Sequence, residues 1–154
     1  MSAAPVVMGV DLGGTKIRAA LGDGHGALLA VVEQPTLAGG AGLAGQLAEM
    51  LGLLRADARV GSAPLLATAI GGAGVADGDG FSMAPNLGGI DGRSLVATLE
   101  GALGLVVLDN DVNVAAMGEL RAGEAGDDFA FVSLGTGIGM GLVVDGHLVR
   151  GARG

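Results

Sequence analysis

The sequence predicts an α/β fold whose mixed sheet opens on an antiparallel meander, followed by the start of a second unit of the same kind. Three observations carry this. Before residue 36, three short apolar runs are separated by turn chemistry, the pattern of hairpin-connected strands. From residue 39 onward, apolar spacing alternates between a helical and a strand period, which layers helices on a sheet. Near residue 128 a fresh pair of apolar runs begins.

The elements follow in order. Residues 5–11 (Pro-Val-Val-Met-Gly-Val-Asp) read as a buried strand, 13–16 (Gly-Gly-Thr-Lys) as a turn and 17–22 as a second strand. Gly22-Asp23-Gly24-His25-Gly26 is turn chemistry leading into a third strand at 27–33. Over 39–56, Leu43, Leu47, Met50, Leu51 and Leu54 fall on one helical face. Pro64 to Ile70 reads as a strand ending in Gly71-Gly72, and 77–92, rich in Gly, Asp, Pro and Asn, as loop. Leu95, Leu99 and Leu103 mark a short helix, 105–109 a strand, and 111–122 a helix that starts at Asn110-Asp111. Strands at 129–134 and 141–144 flank a second glycine loop, and a last one is expected at 147–150.

Composition narrows the function classes. Half of the 154 residues are hydrophobic, with no Trp or Tyr, so the core must be built from Val, Leu, Ile, Met and Ala, and disorder is excluded. Glycine stands at 32 residues, roughly three times its usual share of about 7%. A net charge of −8 argues against nucleic acid or an anionic membrane as partner. With no Cys there is neither disulfide nor thiolate metal site. No apolar run reaches the ~18 residues that would span a membrane, and Met1–Val10 lacks the basic region of a signal peptide. His25 and His147 lie in turns without metal-ligand spacing and read as surface residues.

Four motifs compete for function. Gly40-x-Gly42-x-x-Gly45 matches a dinucleotide fingerprint, but it follows no strand directly and has no acid about 20 residues onward, so it is a decoy. Asp11-Leu12-Gly13-Gly14-Thr15-Lys16 puts an acid at a strand end before a tight turn. Glycine lets backbone N–H groups approach an anion. Thr15 adds a hydroxyl and Lys16 a charge for phosphate, while Asp11 suits a hydrated Mg²⁺; a plain β-turn with a solvated Lys explains the same residues equally well. Leu134-Gly135-Thr136-Gly137-Ile138-Gly139 repeats the Gly-Thr pattern, and an ordinary hairpin is its bland explanation. Asp109-Asn110-Asp111-Val112-Asn113 places carboxylates at the C-terminal edge of a strand, where open α/β sheets bind ligands. Taken alone, those residues read more readily as a helix cap than as a catalytic base.

Together the segments resemble the ROK family of sugar kinases, repressors and their relatives, within the actin-like (ribonuclease H-like) ATPase superfamily. Val10 to Lys16 resembles that family's first phosphate loop, Gly71-Gly72-Ala73-Gly74-Val75 its Gly-x-Pro-Gly loop, Ala84-Pro85-Asn86-Leu87 its sugar-side loop, Asn110 to Ala116 its Asn-Asp-Ala-Asn helix start, and Leu134 to Gly139 its second phosphate loop. The resemblance implies a glucokinase-like transfer from ATP to a hexose, with Asp111 as general base. It implies that Gly74, Asn86, Asn110 and Asp111 hold the sugar. Asp11, Gly13, Gly14, Thr15, Lys16, Thr136, Gly137 and Gly139 would hold ATP, with Mg²⁺ bound to Asp11 through water. Residues 1–116 would form the small domain and 117–154 the opening of the large one.

Ala73, Ile90 and Val112 depart from the usual Pro, aromatic and Ala at their positions. The family continues past a glycine like Gly154 into a Glu-Ile-Gly-His segment, often with a zinc site. The chain by itself is therefore expected to lack kinase activity, and the complete protein to be a cytoplasmic homodimer. A non-catalytic sugar- or nucleotide-binding remnant and a sugar-responsive transcriptional regulator are the alternatives; the regulator ranks low, because it would need a helix-turn-helix before the first strand, where few residues stand, and the chain is acidic.

Overall fold

The computed structural model describes residues 4–37, 40–77, 80–83, 92–135 and 137–150. The meander forms as expected: β1 (Val6–Leu12), β2 (Lys16–Asp23) and β3 (Leu28–Pro35) pair antiparallel, with Asp11 opposite Arg18 and Lys16 opposite Pro35. Helix α1 (Gly40–Arg55) follows and contains the decoy Gly40–Gly45. β4 (Leu65–Gly72) then joins β1 in parallel, and β7 (Leu105–Asn110) joins β4 in parallel. The mixed sheet has the order β3-β2-β1-β4-β7.

One correction falls within the expected loop at 77–92. β5 (Gly74–Asp77) and β6 (Gly80–Met83) form a small hairpin, with Gly74 opposite Met83 and Asp77 opposite Gly80. Asp77 and Gly80, which read as loop, are the last pair of these two arms. Asn86, in the remainder of that segment, lies outside the described residues.

Strand periodicity decides which face is buried. Val6, Met8, Val10 and Leu12 of β1 are buried, while Val7, Gly9 and Asp11 face the other way. The buried side packs against α1 and α2 (Gly92–Leu103). All eight apolar residues that the helical spacing selects, from Leu43 to Leu103, are buried there. The opposite side carries helix α3 (Asp111–Ala122) over β4: a Cβ at Gly71, which pairs with Asp11, would stand 3.4 Å from Asp111 Cα and Val114 Cβ.

Beyond α3, β8 (Phe129–Leu134), β9 (Ile138–Val144) and β10 (His147–Val149) form an antiparallel sheet ordered β10-β9-β8. α3 thus lies between the two sheets. β9 starts three residues earlier than expected, so Gly139 belongs to a strand rather than to the loop. The reason is α3 itself. A Cβ at Gly139 would stand 2.5 Å from Val112 Cγ2, and one at Gly141 2.7 Å from Ala116 Cβ. Bare backbone at these two positions lets the helix seat on β9. No helix among the described residues is long and apolar enough to cross a membrane.

Candidate functional site

The first glycine loop is short and braced. Gly13 N–H donates to Lys16 C=O at 3.0 Å, and a Cβ at Gly13 would meet that same oxygen at 2.7 Å, so no larger residue closes this turn. Thr36, just past β3, holds the loop from below: its hydroxyl donates to Gly13 C=O at 2.7 Å and its N–H to Thr15 C=O at 3.0 Å. Gln46 of α1, buried to 4% exposure, fixes Thr36 in turn. It accepts from Leu37 N–H at 3.0 Å and donates to Pro35 C=O at 2.7 Å and to Gln34 Oε1 at 3.2 Å.

Lys16 opens β2, and its ammonium lies 3.1 Å from the Glu33 carboxylate, both side chains about half exposed. Such a surface pair contributes about 0–1 kcal/mol and yields readily to a multiply charged ligand.

At the β7–α3 junction the choice between cap and base resolves into two residues. Asn110, extended at φ −63°, ψ 138°, is the helix cap: its Oδ1 accepts from Val112 N–H at 3.0 Å and Asn113 N–H at 3.3 Å. Its Nδ2 donates to Gly74 C=O at 3.0 Å, which leaves one amide N–H for a ligand. Asp111 is therefore not needed as the cap. Its Oδ1 accepts from Val112 N–H at 2.8 Å, and its Oδ2 has no partner among the described residues.

Asp111 lines a cavity of about 590 Å³ between the open face of the first sheet, α3 and β8, together with Asp11, Arg18, Gly71, Phe131 and Ser133. Two carboxylates far apart in sequence, brought to the same edge of the sheet around Gly71, thus line one space. Gly13, Gly14, Thr15 and Lys16 sit beyond its rim rather than in its lining, as do Gly74 and Asn110. In the second glycine loop Gly135 N–H donates to Gly137 C=O at 2.9 Å, while Thr136 lies outside the described residues.

Behind the junction lies a cluster that motif reading passes over. Asp109 Oδ1 accepts from Asn110 N–H at 2.7 Å, Asn113 Nδ2 at 3.3 Å and Arg150 Nη1 at 3.0 Å, and its Oδ2 from Arg150 Nη2 at 2.5 Å. Burial pushes the Asp109 carboxyl up, but the Arg150 guanidinium and the Asn110 and Asn113 donors outweigh it and hold the group below the usual carboxylate range. No cluster of three or more metal-ligating side chains exists among the described residues. A single carboxylate such as Asp11 still fits Mg²⁺, which keeps most of its waters and takes one or two carboxylates with substrate phosphates.

The model of the ROK family matches residues 7–154. This chain belongs to the ROK family. The ROK chain is 35% identical to a glucokinase of Streptomyces coelicolor over 153 residues, 95% of this chain and 46% of that protein. It is 36% identical to an N-acetylmannosamine kinase of Salmonella typhimurium over 152 residues, 96% of this chain and 50% of that one. A ROK family glucokinase from Streptomyces griseus, solved with glucose and AMPPNP, superposes with a TM-score of 0.81 at 32% identity, covering 97% of this chain and 47% of that one. A ROK family transcriptional regulator homologous to the E. coli MLC protein superposes at 0.76 with 18% identity over 99% of this chain and 40% of that one, a likeness of fold alone. The ROK chain spans about half the length of the curated relatives it matches, and its fold is the actin-like ATPase fold of the ROK sugar kinases.

Proposed function

We propose that the protein carrying this chain is an ATP-dependent hexose kinase in which Asp111 is the general base. The observation that supports this above all is that Asp11 and Asp111 line one cavity while Asn110 does the capping of α3. Asp111 gives Oδ1 to Val112 N–H and keeps Oδ2 without a partner among the described residues, and that oxygen can accept a proton.

The sugar is held by the Gly74 backbone, Asn86 and the free N–H of Asn110. Gly13, Gly14, Thr15 and Lys16 grip the nucleotide phosphates from the first sheet, and Thr136 and Gly137 meet them from the second. Asp11 holds hydrated Mg²⁺, which neutralises phosphate charge when bound. Asp111 takes the proton of the attacking sugar hydroxyl as that oxygen bonds to the γ-phosphorus and the bond to the ADP oxygen breaks. The same reading makes the protein a cytoplasmic homodimer that acts on small molecules. It takes residues 1–116 as the small domain and 117–154 as the opening of the large one.

The protein as its gene encodes it is incubated with ATP, Mg²⁺ and a panel of hexoses, and ADP release is followed. Turnover of at least one hexose is expected, with a loss in kcat of about 10²–10⁴-fold in Asp111→Asn. Turnover of none, or an Asp111→Asn variant at the wild-type rate, refutes the assignment.

A further inference from the structure

Asp109 does not line the cavity, yet its carboxylate gathers more donors than any other group at the site. They come from three elements. Asn110 N–H belongs to the end of β7, Asn113 Nδ2 to the first turn of α3, and the Arg150 fork to the residue just past β10. Asn113 is itself buried to 8% exposure, so its amide is committed to this cluster. Asp111 sits between the two asparagines that Asp109 holds.

The Arg150 contact is bidentate, with both terminal nitrogens on the two oxygens of one carboxylate. That geometry fixes orientation as well as proximity, which a lysine cannot reproduce. The Arg150 side chain is 56% exposed and that of Asp109 18%. At such exposure an ion pair adds little to overall stability, so its value lies in where it holds things.

We propose that Arg150 is a positioning residue for phosphoryl transfer: through Asp109 and Asn113 it fixes the first turn of α3, and with it the aim of the Asp111 carboxylate into the cavity. The second sheet thereby reports its seating to the catalytic helix. This rests on the reading of Asp111 as base. Small misplacements of a reacting group cost up to about 10²-fold in rate, so a loosened helix start is felt in turnover before it is felt in folding.

The test uses Arg150→Gln and Arg150→Lys in the protein as its gene encodes it. In Arg150→Gln, kcat falls about 10- to 100-fold while KM for hexose and for ATP stays within about twofold, the signature of an interaction lost only in the transition state. Arg150→Lys, which keeps the charge and loses the fork, gives an intermediate kcat. Asp109→Asn combined with Arg150→Gln falls no further than the worse single variant, because the two act as one unit. Hydrogen exchange at Val112–Val114 rises in Arg150→Gln while β1 stays protected. A kcat within about twofold of wild type, or a loss confined to KM, overturns the proposal. If β1 also loses protection, Arg150→Lys decides, and wild-type kcat in that variant overturns it. Should wild type phosphorylate no sugar, the reading of Asp111 falls instead. The exchange arm then judges the coupling alone: unchanged protection at Val112–Val114 in Arg150→Gln overturns it.

Discussion

Gly139→Ala isolates the contact that seats α3 on the second sheet. The added methyl would lie 2.5 Å from Val112 Cγ2, with the other Val112 atoms at 3.5 and 3.7 Å. One side-chain atom is therefore responsible for the clash. Forcing an extra methyl into such packing costs about 1–3 kcal/mol. Val112→Ala alone removes two carbons from a residue buried to 8% exposure, a loss of about 1–2 kcal/mol at ~0.8 kcal/mol per buried carbon. In the double variant the offending Cγ2 is gone and the nearest remaining Val112 atom is Cβ at 3.5 Å, an ordinary contact. The two changes must therefore be coupled, and the double variant should be more stable than the sum of the singles by about 1–2 kcal/mol, within the range for residues in contact. Urea unfolding of all four proteins measures this, read as midpoint shifts at constant slope. Additivity within about 0.5 kcal/mol would show that Gly139 does not lie beneath Val112.

Two further outcomes are expected. Gln46→Leu strands the Leu37 N–H and Pro35 C=O and releases Thr36, costing about 1–3 kcal/mol in urea unfolding and raising KM for ATP more than it lowers kcat. Asp109 titrates below the usual carboxylate range in the folded state, held there by the Arg150, Asn110 and Asn113 donors, so its stabilisation is complete above the unfolded carboxyl value and fades as pH falls through the lower, folded one. The gap in urea midpoint between wild type and Asp109→Asn should accordingly be widest near neutral pH and shrink below about pH 4; a gap independent of pH would refute the assignment.

Much of this fold can be read from periodicity alone. The meander, the buried stripe from Leu43 to Leu54 and the strand–helix junction at Asn110-Asp111 each state their structure in residues close together in sequence. Reading fails where the deciding partner is distant. That Asn110 rather than Asp111 caps α3 depends on a backbone bend which both residue types favour. Gly139 looks like part of an anion loop because a glycine that admits a ligand and one that admits a helix are the same letter. Thr36, Gln46 and Arg150 carry no motif, and their roles exist only once β3, α1 and β10 have been brought to the site.

The bracing of the first loop has an evolutionary corollary. A signature spelled only at positions 11–16 captures the surface of the device and omits its foundations, a threonine hydroxyl and a buried glutamine amide written twenty and thirty residues downstream. Grafting those six residues alone onto another meander would transplant a shape with nothing to stand on; carrying positions 34–37 and 46 along with them would move the working part.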